Sequence, residues 1–410
     1  MKKSVVLIAV CCAALVAVTA GSAQTRKPRV AVPPISWGVA DDMPKYAADG
    51  GEWFYQQLKR ANLTENRWTL AFNPASPTTI AELPFLVRAA PLAQQAGVHV
   101  VLALYSGTPA PDAKDHDPAA FCNWAGLVAT TVKQWGISDF IVGNEPNTLL
   151  YWAPQKDASG KDVAAAPYEA LLAACYDSIK AANPAATVIG MGLSPRASTP
   201  KSNDPLKFLR DVGAVYRASG RTKPLMDQLA LHPYPNPYVK GSPPNKGYGP
   251  PNQFGIPQLN RVKQAVWDAF HGTAQPTTQN GLTFRLDEVG WQTNTNQYPQ
   301  YFGAENWKQV ISEQTQADYI KTMVTKYFAC DPTVTSVELF LLVDEKYRNG
   351  HDETGANVGG GWQSGLMTAG GAGISAPKVA FTQDAPLFAQ GRAACSAKLL
   401  SWSPAKVKRH

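Results

Sequence analysis

Two glutamates end apolar runs 143 residues apart: Glu145 in Ile141-Val142-Gly143-Asn144-Glu145-Pro146-Asn147, and Glu288 in Phe284-Arg285-Leu286-Asp287-Glu288-Val289-Gly290-Trp291. A buried strand that stops on a carboxylate, with a Pro or Gly turn after it, sets that acid at a sheet edge where a ligand can meet it. Two such acids facing each other can break a glycosidic bond, one donating a proton while the other attacks the anomeric carbon. With the carboxyls about 5–5.5 Å apart the geometry selects double displacement with retention. Glu145 is then the general acid/base and Glu288 the nucleophile. The acid needs a proton near neutrality, which calls for partial desolvation or a negative neighbour, and the nucleophile needs donors and a cation.

Residues of the right kind are present. Arg67 stands in the run Asn66-Arg67-Trp68-Thr69-Leu70, where a charge among apolar residues needs a partner, and Glu288 is the expected one. Asn144 beside Glu145 is suited to the sugar hydroxyl next to the reacting carbon, a contact that strengthens as oxocarbenium character grows. Tyr234 can donate its hydroxyl to the nucleophile, and His232 can orient the acid or a sugar. Aromatic residues expected in loops on the same face, Trp37, Trp152, Trp291, Tyr298 and Trp362, offer rings for the C–H faces of sugars, with core packing as the competing role. Asp41, Asp42, Asp344 and Glu345 suit sugar hydroxyls.

The elements that must position these residues alternate short β-branched runs with amphipathic stretches. Strands are expected at Val30–Ile35, Asn66–Phe72, His99–Tyr105, Asp139–Gly143, Thr187–Met191, Gln228–His232, Thr283–Glu288 and Val337–Val343. Helices are expected after each, the last around Lys378–Cys395. Eight strand–helix units describe an α/β fold, the (β/α)8 or TIM barrel, as one domain over residues 28–400. A doubly wound open sheet would usually carry a glycine-rich phosphate turn after an early strand, and none is present. In the barrel, strands four and seven lie on opposite walls of the mouth, so Glu145 and Glu288 can converge. The two long loops, Pro233–Pro257 and Glu345–Ala376, follow strands and so belong to the face where barrel active sites form.

These residues carry a family resemblance. The chain resembles clan A of the glycoside hydrolases, retaining (β/α)8 enzymes with Asn-Glu after strand four and a Glu nucleophile after strand seven. Arg67, Asn144-Glu145, His232-Pro233-Tyr234 and Glu288 each fall on the strand that pattern assigns. Gly143-Asn144-Glu145, Tyr234-Pro235, Glu288-Val289-Gly290-Trp291 and Phe340-Leu341-Leu342-Val343-Asp344-Glu345-Lys346 are similar to the endo-1,3-β-glucanase-like branch. His232 with Tyr234 is shared instead with the cellulase-like branch. That branch expects a His near the end of strand three, where this chain has Tyr105-Ser106, and a Trp closing strand eight, where it has Leu342-Val343-Asp344. The glucanase-like branch expects Asn at 232. The resemblance implies hydrolysis of an oligo- or polysaccharide without a cofactor. The rival from another class is a catalytically silent barrel that binds cell-wall or extracellular glycan.

Composition narrows the setting. Met1-Lys2-Lys3, the apolar stretch Val5–Val18 and Ala20-Gly21-Ser22-Ala23 read as a signal peptide over residues 1–23, and hence a secreted chain, extracellular or periplasmic. Cys11 and Cys12 lack the small residue expected before a lipidated cysteine, and no later segment approaches 18 apolar residues, so no membrane insertion is expected. About 387 residues would remain, with the formal charge falling from +7 to +5. The basic tail, residues 401–410, reads as a solvated end, and no basic–aromatic interleaving points to nucleic acid. A monomer is expected. The Asp112-Ala113-Lys114-Asp115-His116-Asp117 cluster lacks the glycine and terminal glutamate of a calcium loop and reads as a solvated turn, so no metal is expected. Four cysteines survive processing, none in CxxC spacing. Cys122 and Cys175 fall in neighbouring helices of the expected ring, as do Cys330 and Cys395, which predicts Cys122–Cys175 and Cys330–Cys395 disulfides.

Overall fold

The computed structural model describes residues 32–106, 117–303, 309–348, 354–357, 361–370 and 374–405. The expected leader, residues 112–116 of the acidic cluster and residues 406–410 of the tail lie outside these. The barrel belongs wholly to the compact unit Pro33–His410.

Eight parallel strands close into a barrel in chain order: β1 (Ser36–Ala40), β2 (Glu65–Phe72), β3 (His99–Ser106), β4 (Asp139–Val142), β5 (Thr187–Leu193), β6 (Gln228–Leu231), β7 (Thr283–Val289) and β8 (Val334–Leu339). The helices around it are α1 (Met43–Tyr46), α2 (Glu52–Arg60), α3 (Leu83–Gln95), α4 (Pro118–Val132), α5 (Ala165–Ala182), α6 (Pro205–Ser219), α7 (Leu259–Phe270), α8 (Glu313–Met323), α9 (Val379–Gln383) and α10 (Ala385–Gln390). Helices cover every strand from outside, which is why β3 and β4 are nearly unbroken apolar runs. Local chemistry agrees with the ends: Asp117 accepts from Ala119 N to cap α4, and α6 runs from Pro205 to a left-handed Gly220.

Alternate residues of each strand face the barrel interior. Val101, Ala103, Ile141, Ile189 and Ala230 form an apolar plug there, apart from the main core between strands and helices. Two ionic clusters occupy the rest. Glu65 and Arg67, two residues apart on β2, belong one to each cluster, and Arg285 and Asp287 on β7 do the same. At Gly38 on β1 the strand passes so close to β2 that a Cβ would stand 2.4 Å from the Glu65 carbonyl oxygen, so only glycine fits.

Both disulfides join the expected pairs, Cys122–Cys175 between α4 and α5 and Cys330–Cys395 near the end of the chain, with Cα atoms 4.5 and 5.0 Å apart. Cross-links closing loops of this size stabilise a fold by about 2–4 kcal/mol each.

Three elements depart from expectation. The first strand is Ser36–Ala40, not Val30–Ile35: Pro33 and Pro34 cannot donate to a ladder, so pairing starts beyond them. Trp37 is therefore a strand residue, 2% exposed against Phe388 of α10, and not a ring in a mouth loop. Strand eight runs from Val334 to Leu339, earlier than Val337–Val343. The amides of Leu342 and Val343 donate instead to Asp41 Oδ2, each at 3.2 Å, and Met367 N bonds back to Leu342 O. The closing helix is in three pieces, α9, α10 and a 3-10 turn Gly391–Ala394, because Pro386 starts a new helix where the old one would have to continue.

Candidate active site

The mouth at the C-terminal ends of the strands opens into a cavity of about 1010 Å³. Glu145 reaches it by an unusual backbone route. Gly143, just past β4, has φ +87°, and Glu145 itself has φ +42°, a left-handed conformation that costs a non-glycine residue about 1–3 kcal/mol. The turn is held by Glu145 N donating to Gly192 O at 2.9 Å and Thr148 N donating to Glu145 O at 2.8 Å. Glu288 sits near the end of β7. The register with β8 shifts between Leu286 and Val289. Such an irregularity lets the consecutive side chains of Asp287 and Glu288 both reach the mouth, where a regular pleat would turn one away.

Six of the residues singled out from the sequence meet here. His232, fully buried just past β6, places Nδ1 3.0 Å from Glu145 Oε1 and 3.6 Å from Glu288 Oε2. Glu288 Oε2 accepts from the Tyr234 hydroxyl at 2.9 Å, and Oε1 pairs with Arg67 Nη1 at 3.0 Å. Arg67 does not fork onto one carboxylate as expected. It bridges, with Nε 3.2 Å from Asp287 Oδ2 and Nη2 donating to Asn144 Oδ1 at 2.7 Å. That bond fixes the carbonyl end of the Asn144 amide on Arg67, which leaves the NH2 end for the cavity. Both glutamates remain partly open, Glu145 at 18% and Glu288 at 12%.

The electrostatics follow from this packing. Burial lifts the Glu288 carboxyl above the usual range; His232 and Arg67 hold it down in part, while Glu145 and Asp287 push it up. For His232, burial opposes the charged ring but is outweighed by Glu288, Asp287 and the bonds to Asp287 and Glu145, so its pKa rises well above the ordinary value. Asp287 is held low: burial alone would raise it, and His232 and Arg67 overcome that. Burial and Glu288 raise the Tyr234 hydroxyl well beyond its normal range, so it remains a donor.

The remaining expectations divide. Trp291 and Trp362 line the cavity. The Trp291 indole N–H donates to Ser242 O at 2.8 Å, and Trp362 leans on Phe340 and Tyr234 with centroids 5.5 and 6.0 Å away. Trp152 does not line it; its ring is buried against Tyr168, at 5.5 Å. Tyr298 is also off the wall and donates to Glu313. Asp344 borders the cavity, yet its oxygens are taken by Lys378, by the Tyr301 hydroxyl at 2.5 Å and by Gly365 N at 2.7 Å. Its task is to pin the loop after β8 and not to meet a sugar hydroxyl. Asp41 likewise spends both oxygens on backbone amides.

Asp287 was missed. Its signal was legible: it is in phase with Arg285 on an apolar strand, so it too had to face inward and find a cation. Tyr105, Phe340 and Arg196 also line the cavity without having been singled out. Among the described residues no group of three or more His, Cys, Asp or Glu side chains is placed to hold a metal ion, and no helix is long and apolar enough to cross a membrane.

No protein-family model matches the sequence, and no curated protein matches it. Solved structures do share the fold. One is a family 39 glycoside hydrolase from the gut symbiont Bacteroides cellulosilyticus, 16% identical with a TM-score of 0.56; the match covers 87% of this chain and 64% of that one, so the chain spans less than two thirds of its length. The β-glycosidase BGL167 is 14% identical, with a TM-score of 0.52 and coverage of 90% and 99%. A family 39 β-xylosidase from Caulobacter crescentus is 14% identical, with a TM-score of 0.52 and coverage of 89% and 74%. All three are named as glycosidases, and what this chain shares with them is the closed eight-stranded barrel.

Proposed function

We propose that this chain is a secreted, retaining glycoside hydrolase of clan A that cleaves an oligo- or polysaccharide, with Glu145 as general acid/base and Glu288 as nucleophile. One observation carries the reading: the two carboxylates share a single imidazole nitrogen, at 3.0 and 3.6 Å, inside one cavity. Their nearest oxygens can be no farther apart than those two lengths laid end to end. That bound admits the separation of about 5–5.5 Å at which one carboxylate can attack directly in retaining enzymes. Direct attack by one acid is the geometry it favours.

The roles differ because the surroundings differ. Glu288 takes a donor on each oxygen, Arg67 on one and Tyr234 on the other, which orients a carboxylate for attack, and the Arg67 charge offsets part of the burial that raises its pKa. Glu145 contacts His232 and otherwise opens to the cavity, where a leaving-group oxygen can take its proton and a water can later return one. Asn144, oriented by Arg67, offers its NH2 to the hydroxyl beside the anomeric carbon. The cavity is at the upper end of the 300–1,000 Å³ usual for small-molecule sites, which suits several sugar units better than one. Trp362, delivered by the loop after β8, brings an indole to the mouth beside Phe340, near where the cellulase-like branch carries one on the strand.

Incubation with a panel of activated 2-deoxy-2-fluoro glycosides, followed by peptide mass mapping, tests the assignment. The expected result is a single adduct on Glu288 with time-dependent inactivation. An adduct on another residue, or hydrolysis with inverted product, overturns it. Absence of turnover across a broad glycan and aryl-glycoside panel would favour the silent glycan-binding barrel.

A further inference from the structure

The walls of the cavity are unequal in charge. A general acid must stand beside the leaving-group oxygen, so the leaving group lies against the loops nearest Glu145. Glu145 bonds through its amide to Gly192 O on β5 and through its carboxylate to His232 just past β6, which ties it to the loops after β4, β5 and β6. This step rests on Glu145 as the proton donor. From these loops Leu150, Tyr151, Ser194, Arg196 and Tyr248 reach the cavity wall, and among the described residues of these three loops that line it Arg196 carries the only charge besides Glu145.

Arg196 is placed unlike Arg67. Its guanidinium is half-buried, donates through Nη1 to Ala197 O at 2.9 Å and lies 5.3 Å from the centre of the Tyr238 ring. It also interacts with the Tyr248 hydroxyl, and among the described residues it pairs with no carboxylate, so its charge is not neutralised by an acid. Arg196 also borders a second cavity of about 360 Å³, shared through Ser198 with the first and walled further by Lys156, Thr199 and Tyr238. Lys156 donates to Pro200 O at 3.1 Å and likewise has no carboxylate partner among the described residues. The acid in that groove, Asp204, already accepts through Oδ1 from Gln253 Nε2 at 2.8 Å and from Ala197 N at 3.4 Å. Tyr238 is 75% exposed, so its ring is open to a ligand in the groove. Across the mouth, Asp41, Asp42 and Glu345 stand with Lys346.

We infer that Arg196, Lys156 and Tyr238 form a subsite for an anionic sugar residue on the leaving-group side of the scissile bond. The planar fork of Arg196 matches a carboxylate or a sulfate, the Tyr238 ring stacks on the sugar's apolar face, and Lys156 adds a second positive charge. The formal net charge, +7 for the full sequence and +5 without the expected leader, works in the same direction, raising encounter with a polyanionic glycan.

Titration of the full chain with glucuronate, glucose 6-sulfate and glucose, followed by chemical-shift perturbation, tests this without any need for turnover. The expected result is that at least one anionic sugar binds about tenfold or more tightly than glucose, weakening with salt. Arg196→Gln should remove that preference and Lys156→Gln should reduce it less. Preference for glucuronate alone assigns a carboxylate; preference for the sulfate alone assigns a sulfate ester. Equal binding of all three sugars, no binding of any, or a preference intact in Arg196→Gln each overturns the inference. Because the readout is binding, a failure of the glycosidase reading would show separately, as the absence of covalent trapping on Glu288.

Discussion

The barrel interior holds two clusters of the same composition with opposite prospects. At the mouth, Arg67 gathers Asp287, Glu288 and Asn144, with His232 bonded to Asp287. Toward the other end, Arg285 gathers Glu65, Glu338 and Asp139, with His99 bonded to Asp139 at 3.0 Å. Each has one arginine, several carboxylates and a histidine. What differs is access and spare capacity. The mouth cluster borders a large cavity and includes an acid, Glu145, whose bonding is incomplete. In the other cluster Arg285 and Ser336 close on Glu65 and Glu338, which have almost no exposed surface. A charged network in a barrel is therefore no sign of chemistry by itself. The sign is a carboxylate pair left within reach of a ligand while its neighbours hold it in place.

Deleting one acid from the mouth puts this difference to its hardest test. Glu288→Ala should lower kcat by roughly 10⁴-fold or more on any substrate found, with glycan binding largely kept. Azide should restore turnover with an inverted product. Turnover near the wild-type level in that variant would show that the mouth cluster, like the other, is only structural.

The converse deletion targets the closed cluster. Arg285→Met leaves Glu65 and Glu338 without their cation and Asp139 with His99 alone, and breaking a buried pair this way costs about 3–5 kcal/mol. Urea unfolding should show that loss, while kcat per folded molecule stays within about twofold of wild type. A large fall in kcat with stability intact would mean that the two clusters communicate and do not divide chemistry from support.

Within the mouth, Arg67→Gln removes the cation that opposes the burial-raised pKa of Glu288. If Glu288 is the nucleophile proposed above, it works only when ionised, so activity is lost as pH falls through its pKa. With Arg67 gone that pKa climbs further, and the acid limb of the kcat/KM profile should move to higher pH. A shift of one unit is tenfold in rate on the acid side. An unmoved limb would detach Arg67 from Glu288.

Much of this was legible in the sequence because the barrel repeats one rule. Apolar runs such as Val100–Leu104 can only be strands covered on both sides, and a carboxylate at the end of one must reach the mouth. The rule fails where burial and pairing part company. Phe340–Val343 is as apolar as a strand, yet only Phe340 N still bonds to β7, and Asp41 takes the amides of Leu342 and Val343. Trp37 and Trp152 looked like sugar platforms because indoles suit that role, but only tertiary packing decides which indoles face helices. Asp344 looked like a hydroxyl ligand, and only the fold shows Lys378 closing on it. Asp287 was the avoidable omission, since strand phase alone placed it beside Arg67.

The smallest effect concerns the closed cluster alone. Glu338 is pushed up to about 8, by burial first and then by Glu65 and Asp287, with Arg285 opposing. The folded protein thus keeps a proton on this acid that the unfolded chain gives up near the ordinary glutamate pKa of 4.5. The stability that proton confers is complete below about pH 4.5 and is lost as pH rises through about 8. Its slope is at most about 1.4 kcal/mol per pH unit. Glu338→Gln carries a neutral amide at every pH, so its Tm should fall less than that of wild type between pH 5 and 9. His99, also raised, adds a slope of the same sign to both proteins, so the difference between the two curves is the quantity to measure. Parallel curves would mean that Glu338 is ionised in the fold, and that Arg285 satisfies all three carboxylates at once.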